Sequence, residues 1–583
     1  MLNLLMKYAY DHDLAPEPGF ARKWVRWAIV CDANGRFLEV IELGDTAQRR
    51  NPGLVFPRCP DLPSFVVAAG DKGERRSHFL IEAAQVVVLY GLEPGDAKTE
   101  SKHRYFLRLL REASPTMPEI AAAHRLLDDG DSIAQIRAAL QSHKAKPTDS
   151  VTVNVAGTFP VESDAWHEWW RTFRDGLIAG KRSEDMMRCF ATGDSAPPLL
   201  TWPKIKRLGG QPAGDALVCF DKAAFRSYGL DQSANAAVSE EAAVACCTAL
   251  DDLVSNHSRA LAGTRLIHWF SKSVPPEDDL LDWLHEPREL QESAAQDRAS
   301  KLLESIRTGK RAHLADNHYY ALTLSGMSGR IMIRDWMQGR FEELAANVKS
   351  WFDDLQIVRR DGKGLTLPPK FMAVLGSLVR DLDELPPPLG ARMWRVAVNH
   401  EPIPHDALVR ALIRARADVV TDQPPNHARM GLMKAYHIRK GDPHIMPGLN
   451  ENHPHPAYHC GRLMAVLADL QRAALHNVNA GVVQRFYAAA SSTPALVLGR
   501  LTRTSKFHLD KLDAGLAYWF DGRIADIWVK LDSVPRVLSL EEQSLFALGY
   551  YHQLAENRKK REVKEVLDEQ IDGANTEEDN TNA

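Results

Sequence analysis

The stretch "KWVRWAIVCDANGRFLEVIEL", Lys23 to Leu43, decides how the chain begins. Two runs of β-branched, aromatic and aliphatic residues flank Asn34-Gly35, the strongest short hairpin signal. A β-hairpin is expected here. "SFVVAAGDKGERRSHFLIEAAQVVVLYG" (Ser64 to Gly91) repeats the idea with a longer charged connection, so a second hairpin is expected, its loop carrying Lys72, Arg75 and Arg76.

Working outward, the periodicity turns helical from Ser101 to Lys146, with Ile120, Leu126, Leu127, Ile133, Ile136 and Leu140 at three and four spacing. Strand patterns return at "SVTVNVAGTFPV", and Ser239 suits the N-cap of a later helix. Pro386-Pro387-Pro388 marks a domain boundary, because three prolines cannot continue a helix. Beyond it, helices are expected over 389–399, 405–417, 427–440, 458–476, 478–490, 494–520 and 539–567. The expected class is α+β. A mixed α/β N-terminal domain with β-hairpins (1–385) precedes a C-terminal α-helical bundle (386–567) and an acidic disordered tail (568–583).

Bulk numbers limit the function. A chain of 583 residues is too long for one core. With 45% hydrophobic and 25% charged residues it has ordinary soluble composition. No apolar run approaches the ~20 residues of a membrane span. The N-terminal "MLNLLMKYAYDHD" has a lysine in its middle and no small-residue cleavage site, so a cytoplasmic location is expected. Seven scattered cysteines without a CxxC pair suit reduced thiols. A net charge of −4 argues against nucleic-acid binding by bulk charge, but leaves a local basic groove open.

"NENHPHPAYHCGRL" (Asn450 to Leu463) raises the question of metal, since His455 and His459 are four apart and would share a helix face. His453, His455, His459 and Cys460 together suggest a metal-dependent nuclease or hydrolase. Against this, Pro456 stands where an HExxH zincin carries its glutamate base, and Pro456 suits the first turn of a helix. A helix start is the plainer interpretation, and neither metal nor cofactor is expected. No G-x-S-x-G elbow or P-loop occurs.

Basic segments say more. In "WPKIKRLGGQPAG", Lys204, Lys206 and Arg207 precede Gly209-Gly210, which lets backbone amides and Gln211 approach a phosphate or base edge closely. Arg410 and Arg414 share a helix face, and from Asp406 to Lys440 seven Lys or Arg stand against three Asp. "GRLTRTSKFHLDK" adds Arg500, Arg503 and Lys506 along one stripe. Each segment alone reads equally as a solvated helix face; three in the helical half of a near-neutral chain (410–416, 429–440 and 500–511) favour a nucleic-acid groove.

Separated blocks then become recognisable: "GFARKWVRWAIVCDANGRFLEVIEL", "PKIKRLGGQPAGDALVCFDKAAFRSYGLDQSANAAVSEEAA", "YYALTLSGMSGRIMIRDWMQGRFEELAANVKSWFDDL", "HPAYHCGRLMAVLADLQ", "VNAGVVQRFYAAASSTPALVLGRL" and "SLEEQSLFALGYYHQ". In this order, from near residue 19 to 553, the chain resembles the large subunit of the subtype I-C CRISPR Cascade complex. That resemblance implies a non-catalytic chain that recognises a protospacer-adjacent motif on double-stranded DNA. It helps open the duplex, holds the displaced strand and recruits a separate helicase-nuclease. Its partners would be the crRNA-containing Cascade subunits (backbone, crRNA-processing and small subunits), target DNA and the helicase-nuclease, with no membrane. The motif readers would be Lys72, Arg75, Arg76, Lys204, Lys206, Arg207 and Gln211; the strand holders, Arg410, Arg414, Arg500, Arg503 and Lys506. Relatives can make a small subunit by internal translation of the C-terminal part, and Met446 or Met464 are the candidate starts. The remaining alternative is a structural scaffold without DNA contact.

Overall fold

A computed structural model describes all residues except 16, 46–50, 63–74, 183–185, 221, 226, 286–292, 309, 476–480 and 580–583. The chain is mixed α/β, with strands concentrated in its N-terminal half and helices in its C-terminal half. It forms two units, Met1–Asn256 with Gly326–Met332, and His257–Ser325 with Ile333–Ala583.

The first unit opens with α1 (Leu2–Asp11), β1 (Phe20–Val25), β2 (Trp27–Cys31), β3 (Phe37–Glu42) and β4 (Leu54–Pro60). The expected hairpin is β2–β3, antiparallel, with Trp27 opposite Glu42 and Cys31 opposite Phe37. Its turn is longer than Asn-Gly alone. The Asp32 carboxylate accepts the backbone N–H groups of Asn34 at 2.9 Å and Arg36 at 2.8 Å, which folds the connection back on itself.

There follow β5 (Glu82–Ala83), α2 (Ala84–Val87), α3 (Ala97–Ala113), α4 (Pro118–Asp128), α5 (Gly130–Ser142) and β6 (Ser150–Val155). β6 runs parallel to β2 with Val151 opposite Trp27, giving a sheet of order β3-β2-β6-β5. Helices α3 to α5 supply the long crossover that a parallel pair requires. The second expected hairpin is not present in its described part, since 82–87 forms the short β5 and then α2. Val86, Val87 and Val88 are all buried, and an apolar run that short packs as well in a helical turn as in a strand. The core gathers Trp27, Phe56, Phe79, Leu126, Trp166 and Trp170.

Next come α6 (His167–Arg182), β7 (Met187–Arg188), β8 (Ser195–Ala196), β9 (Lys204–Ile205), β10 (Asp215–Ala216) and α7 (Glu240–Asn256). Ser239 caps α7 as expected, its hydroxyl accepting the Ala242 N–H at 3.3 Å.

The second unit starts with β11 (Ser258–Leu261), β12 (Thr264–Phe270), α8 (Leu280–His285), α9 (Ser293–Arg307), α10 (Ala312–Ala315), β13 (His318–Met327) and β14 (Arg330–Arg340). The tip of β13–β14, 326–332, belongs to the first unit. Helices then dominate: α11 (Phe341–Leu355), α12 (Phe371–Gly376), α13 (Pro387–Asn399), α14 (His405–Val420), α15 (His427–Arg439), α16 (Pro456–Ala474), α17 (Val482–Ser492), α18 (Pro494–Leu509), α19 (Ala514–Val529) and α20 (Leu540–Asp579).

Three expectations change. The triple proline lies inside the second unit, where Pro386 precedes α13 and the next two prolines occupy its first turn. Prolines there lack N–H groups that a helix start leaves unpaired anyway, so they mark a helix start here. The expected helix 494–520 is two helices, because Asp513 restarts the chain by accepting the Leu516 N–H at 2.8 Å. Finally, α20 continues through Asp579, across most of the segment expected to be a disordered tail; its Glu, Lys and Gln residues are good helix formers.

Helices α16 and α20 cross backbone to backbone. A Cβ added at Gly461 would lie 1.9 Å from the Phe546 carbonyl oxygen, and one at Gly549 would lie 2.0 Å from that of Tyr458. Only glycine permits this approach. Within the crossing the Tyr458 hydroxyl meets His552 Nδ1 at 2.8 Å, and Arg462 Nε donates to Gln553 at 3.0 Å. These bonds satisfy polar groups that the close packing has taken from water.

A candidate nucleic-acid interface

In the first unit β9 and β10 pair antiparallel, with Ala216 opposite Lys204, and throw out the loop 206–214. The buried carboxylate of Asp215 shapes it. Asp215 Oδ1 accepts the Gln211 N–H at 3.3 Å, and Cβ atoms added at Gly210 and Gly326 would fall 2.1 and 2.3 Å from its two oxygens. Gly326 also donates its N–H to the Leu208 carbonyl at 2.8 Å. Held from beneath in this way, the loop presents Lys206, Arg207 and Gln211 to solvent, beside the exposed Lys204 on β9. None of the three cations makes an ion pair with a described carboxylate. Asp251 is the nearby carboxylate that feels the charges of Arg207 and Lys206, without forming a contact pair with either.

Sequence reasoning missed the neighbours of this loop. Ala216 pairs with Arg330 at the tip of β13–β14, and the Arg330 guanidinium lies over the Phe225 ring at 5.0 Å. Three residues on, Tyr228 is 99% exposed on a turn closed by the Ser227–Leu230 bridge. An aromatic face so exposed suits base stacking. The only hint in the sequence was the aromatic before Gly229. Of the other expected motif readers, Lys72 lies outside the described residues. Arg75 is exposed with its N–H donated to Ser101 Oγ at 2.8 Å, and Arg76 is half-buried.

Replacing Gly210 with alanine would drive a methyl group into the Asp215 carboxylate. The expected result is a displaced loop with unchanged global melting, read as altered proteolytic susceptibility near 206–214 together with an unchanged thermal transition.

The second unit holds a separate basic concavity. The turn at 359–367, α12 and the chain from α14 into α15 enclose a groove of about 1100 Å3, in which Arg359, Arg360, Arg380, Arg414 and Arg429 stand against one carboxylate, Asp418. A smaller hollow of about 300 Å3 lined by Arg359, Arg360, His427, Arg558 and the carboxylate Asp361 adjoins it. Burial, then the charges of Arg360 and Arg359, lowers the pKa of His427 below the usual histidine range. The neighbourhood is electropositive.

The family described as "CRISPR-associated protein (Cas_Csd1)" matches residues 5–557. The chain belongs to this CRISPR-associated family. Among curated proteins, none matches it.

For a Cas_Csd1 chain the strand-holding candidates divide. On α18, Arg500, Arg503 and Lys506 are exposed on one face between Leu496 and Phe507, and none pairs with a described carboxylate. Arg410 and Arg414 are half-buried, Arg414 lying 3.6 Å from Asp418. The rest of the basic stretch to Lys440 is largely internal. Arg416 donates to Ser491 and Gln543, Arg429 pairs with Asp418, and Arg439 pairs with Asp354 at 2.8 Å. Lys434 is buried enough to bring its pKa down to about 8. A charge count along the chain cannot distinguish such residues from surface cations.

The histidine segment of this Cas_Csd1 chain starts α16. Pro456 occupies the first turn, and the His455 ring caps it by accepting the Ala457 N–H at 3.2 Å. His459 is buried with Nε2 bonded to the His453 carbonyl at 2.7 Å and Nδ1 facing the Arg462 guanidinium at 3.1 Å. A carbonyl requires a donor and a guanidinium an acceptor, so the ring is neutral and both nitrogens are engaged. Cys460 is buried, and burial pushes its thiol up to about 12. Among the described residues, no group of three or more His, Cys, Asp or Glu is arranged to hold a metal ion. Nor is any described helix long and apolar enough to cross a membrane.

Proposed function

We propose that this Cas_Csd1 chain is the large, non-catalytic subunit of a type I-C Cascade. It reads a protospacer-adjacent motif on double-stranded DNA, helps open the duplex, holds the displaced strand and recruits the helicase-nuclease. The observation that carries this is β9 and the loop 206–214, where Lys204 on the strand, and Lys206, Arg207 and Gln211 on the loop, are exposed on a backbone braced by Asp215. Division of labour makes so small a reader sufficient, because guide-RNA pairing reads the target and the protein needs only a few base-edge contacts and a basic track. Lys204, Lys206 and Arg207 hold phosphates, and Gln211 faces a base. Arg500, Arg503 and Lys506 on α18 hold the displaced strand.

The test is binding of the reconstituted complex to a library of flanking sequences. Substituting Lys204, Lys206 and Arg207 with alanine is expected to weaken binding to every sequence and to lower the salt slope by about 2.7. Gln211→Ala is expected to flatten the preference at one position by roughly 1–3 kcal/mol while sparing overall affinity. Binding and motif preference unchanged in all these variants would remove the proposal.

The α16–α20 crossing also bears on a small subunit made from the same message. A start at Met446 keeps α16 whole, whereas Met464 lies within it and discards Tyr458, Gly461 and Arg462. Met446 is therefore the start we favour. A Met446 codon change that leaves the subunit content of the purified complex unaltered would refute it.

A further inference from the structure

We propose that the arginine-lined groove of the second unit, between the 359–367 turn, α12 and the α14–α15 connection, is a binding site for single-stranded nucleic acid. This deepens the functional reading above, on which it rests for the class of ligand. Three observations carry it. First, charge: five arginines face one carboxylate in a groove of about 1100 Å3, in a chain whose net charge is −4. Local accumulation against the overall balance is the electrostatic footprint of an anionic ligand.

Second, availability. Asp418 is already engaged by both Arg414 and Arg429, and Arg359 pairs with Asp361 at 2.8 Å. Arg360 and Arg380 make no ion pair with any described carboxylate. Two guanidinium groups are thus free to take phosphates bidentately.

Third, the walls are not uniformly polar. Leu365 and Leu367 are exposed on the turn beside the arginines, and Pro424-Pro425 forms part of the lining. The half-buried His427 ring is held edge-on to Tyr551, 6.2 Å between centroids. Apolar and planar surfaces interleaved with guanidinium groups match unpaired bases alternating with phosphates. A duplex offers no base faces to such walls, and an acidic peptide would leave them bare.

The experiment uses the full chain and fluorescence anisotropy with a labelled oligo-dT of about 15 nucleotides. The probe is compared with a blunt duplex of equal length, and polyglutamate serves as competitor. Arg360→Glu with Arg380→Glu is expected to lower oligo-dT affinity roughly tenfold or more, and Arg360→Gln with Arg380→Gln to reduce the salt slope by about 1.4. Both side chains are outside the core, and an unchanged thermal transition checks that. An iodouracil-substituted probe is expected to cross-link within 423–429. Unchanged oligo-dT affinity in both double variants overturns the proposal, as does polyglutamate displacing the probe at equal charge concentration. If Lys204, Lys206 and Arg207 prove irrelevant to motif binding while the groove variants still lose oligo-dT, the functional proposal fails and this one stands.

Discussion

Gly461→Ala is expected to cost the second unit about 3 kcal/mol or more, or to prevent its folding. The methyl group would sit 1.9 Å from the Phe546 carbonyl oxygen, and the obstacle is backbone of α20, not a side chain that can rotate aside. Gly549→Ala meets the Tyr458 carbonyl in the same way. Separating the helices to admit either methyl would open the contacts of residues buried along α16, from Ala457 to Leu470, and break the Tyr458–His552 and Arg462–Gln553 bonds. Gly499→Ala on α18 is the control. Nothing lies within 4 Å of its added Cβ, so alanine's better helix propensity should leave stability unchanged or raised by about 1 kcal/mol. Urea unfolding of the three variants decides it; equal midpoints for Gly461→Ala and Gly499→Ala would show that the helices do not pack this closely.

The second large effect is acid sensitivity. Burial holds His437, His453 and His459 down to about 4 and His552 to about 3, well below the ordinary value near 6.5. In the folded chain these rings stay neutral while the unfolded chain protonates them. Their contribution is therefore complete above about pH 6.5 and is lost as pH falls toward 4, at up to about 1.4 kcal/mol per pH unit for each ring. The facing charges are Asp442 for His453, Asp442, Glu541 and Lys440 for His437, Arg462 and Lys530 for His459, and Lys434 for His552. Urea midpoints should fall steeply from about pH 6.5 to about 4.5, above the range in which ordinary carboxylates titrate. His552→Gln, neutral at every pH, should flatten the curve. A midpoint constant over that window would mean the rings are not buried neutral.

These two predictions rest on features with little trace in the sequence. Glycines inside helical patterns read as weak helix positions, and nothing local marks Gly461 and Gly549 as partners 88 positions apart. The same holds for the candidate site. The loop 206–214 was legible because lysines, arginine and paired glycines are contiguous. Its brace was not, since Asp215 and Gly326 come together only through folding. The basic stretch from Arg410 to Lys440 promised one surface and yielded mostly internal pairs. The groove that does concentrate charge takes Arg359, Arg360 and Arg380 from segments that individually look unremarkable.

What the sequence determined alone follows from short-range physics. Alternation and Asn34-Gly35 specified the β2–β3 hairpin, three-and-four periodicity specified the helices, and Ser239 and Pro456 specified helix starts; the CRISPR-associated family came instead from resemblance of the ordered blocks. The tertiary structure decided which glycines touch backbone, which arginines are sealed in ion pairs and which face solvent, and that the triple proline begins a helix inside the second unit. The physical reason is separation. Propensity and capping act within a few residues, whereas burial, charge pairing and close approach depend on neighbours that only the folded chain supplies.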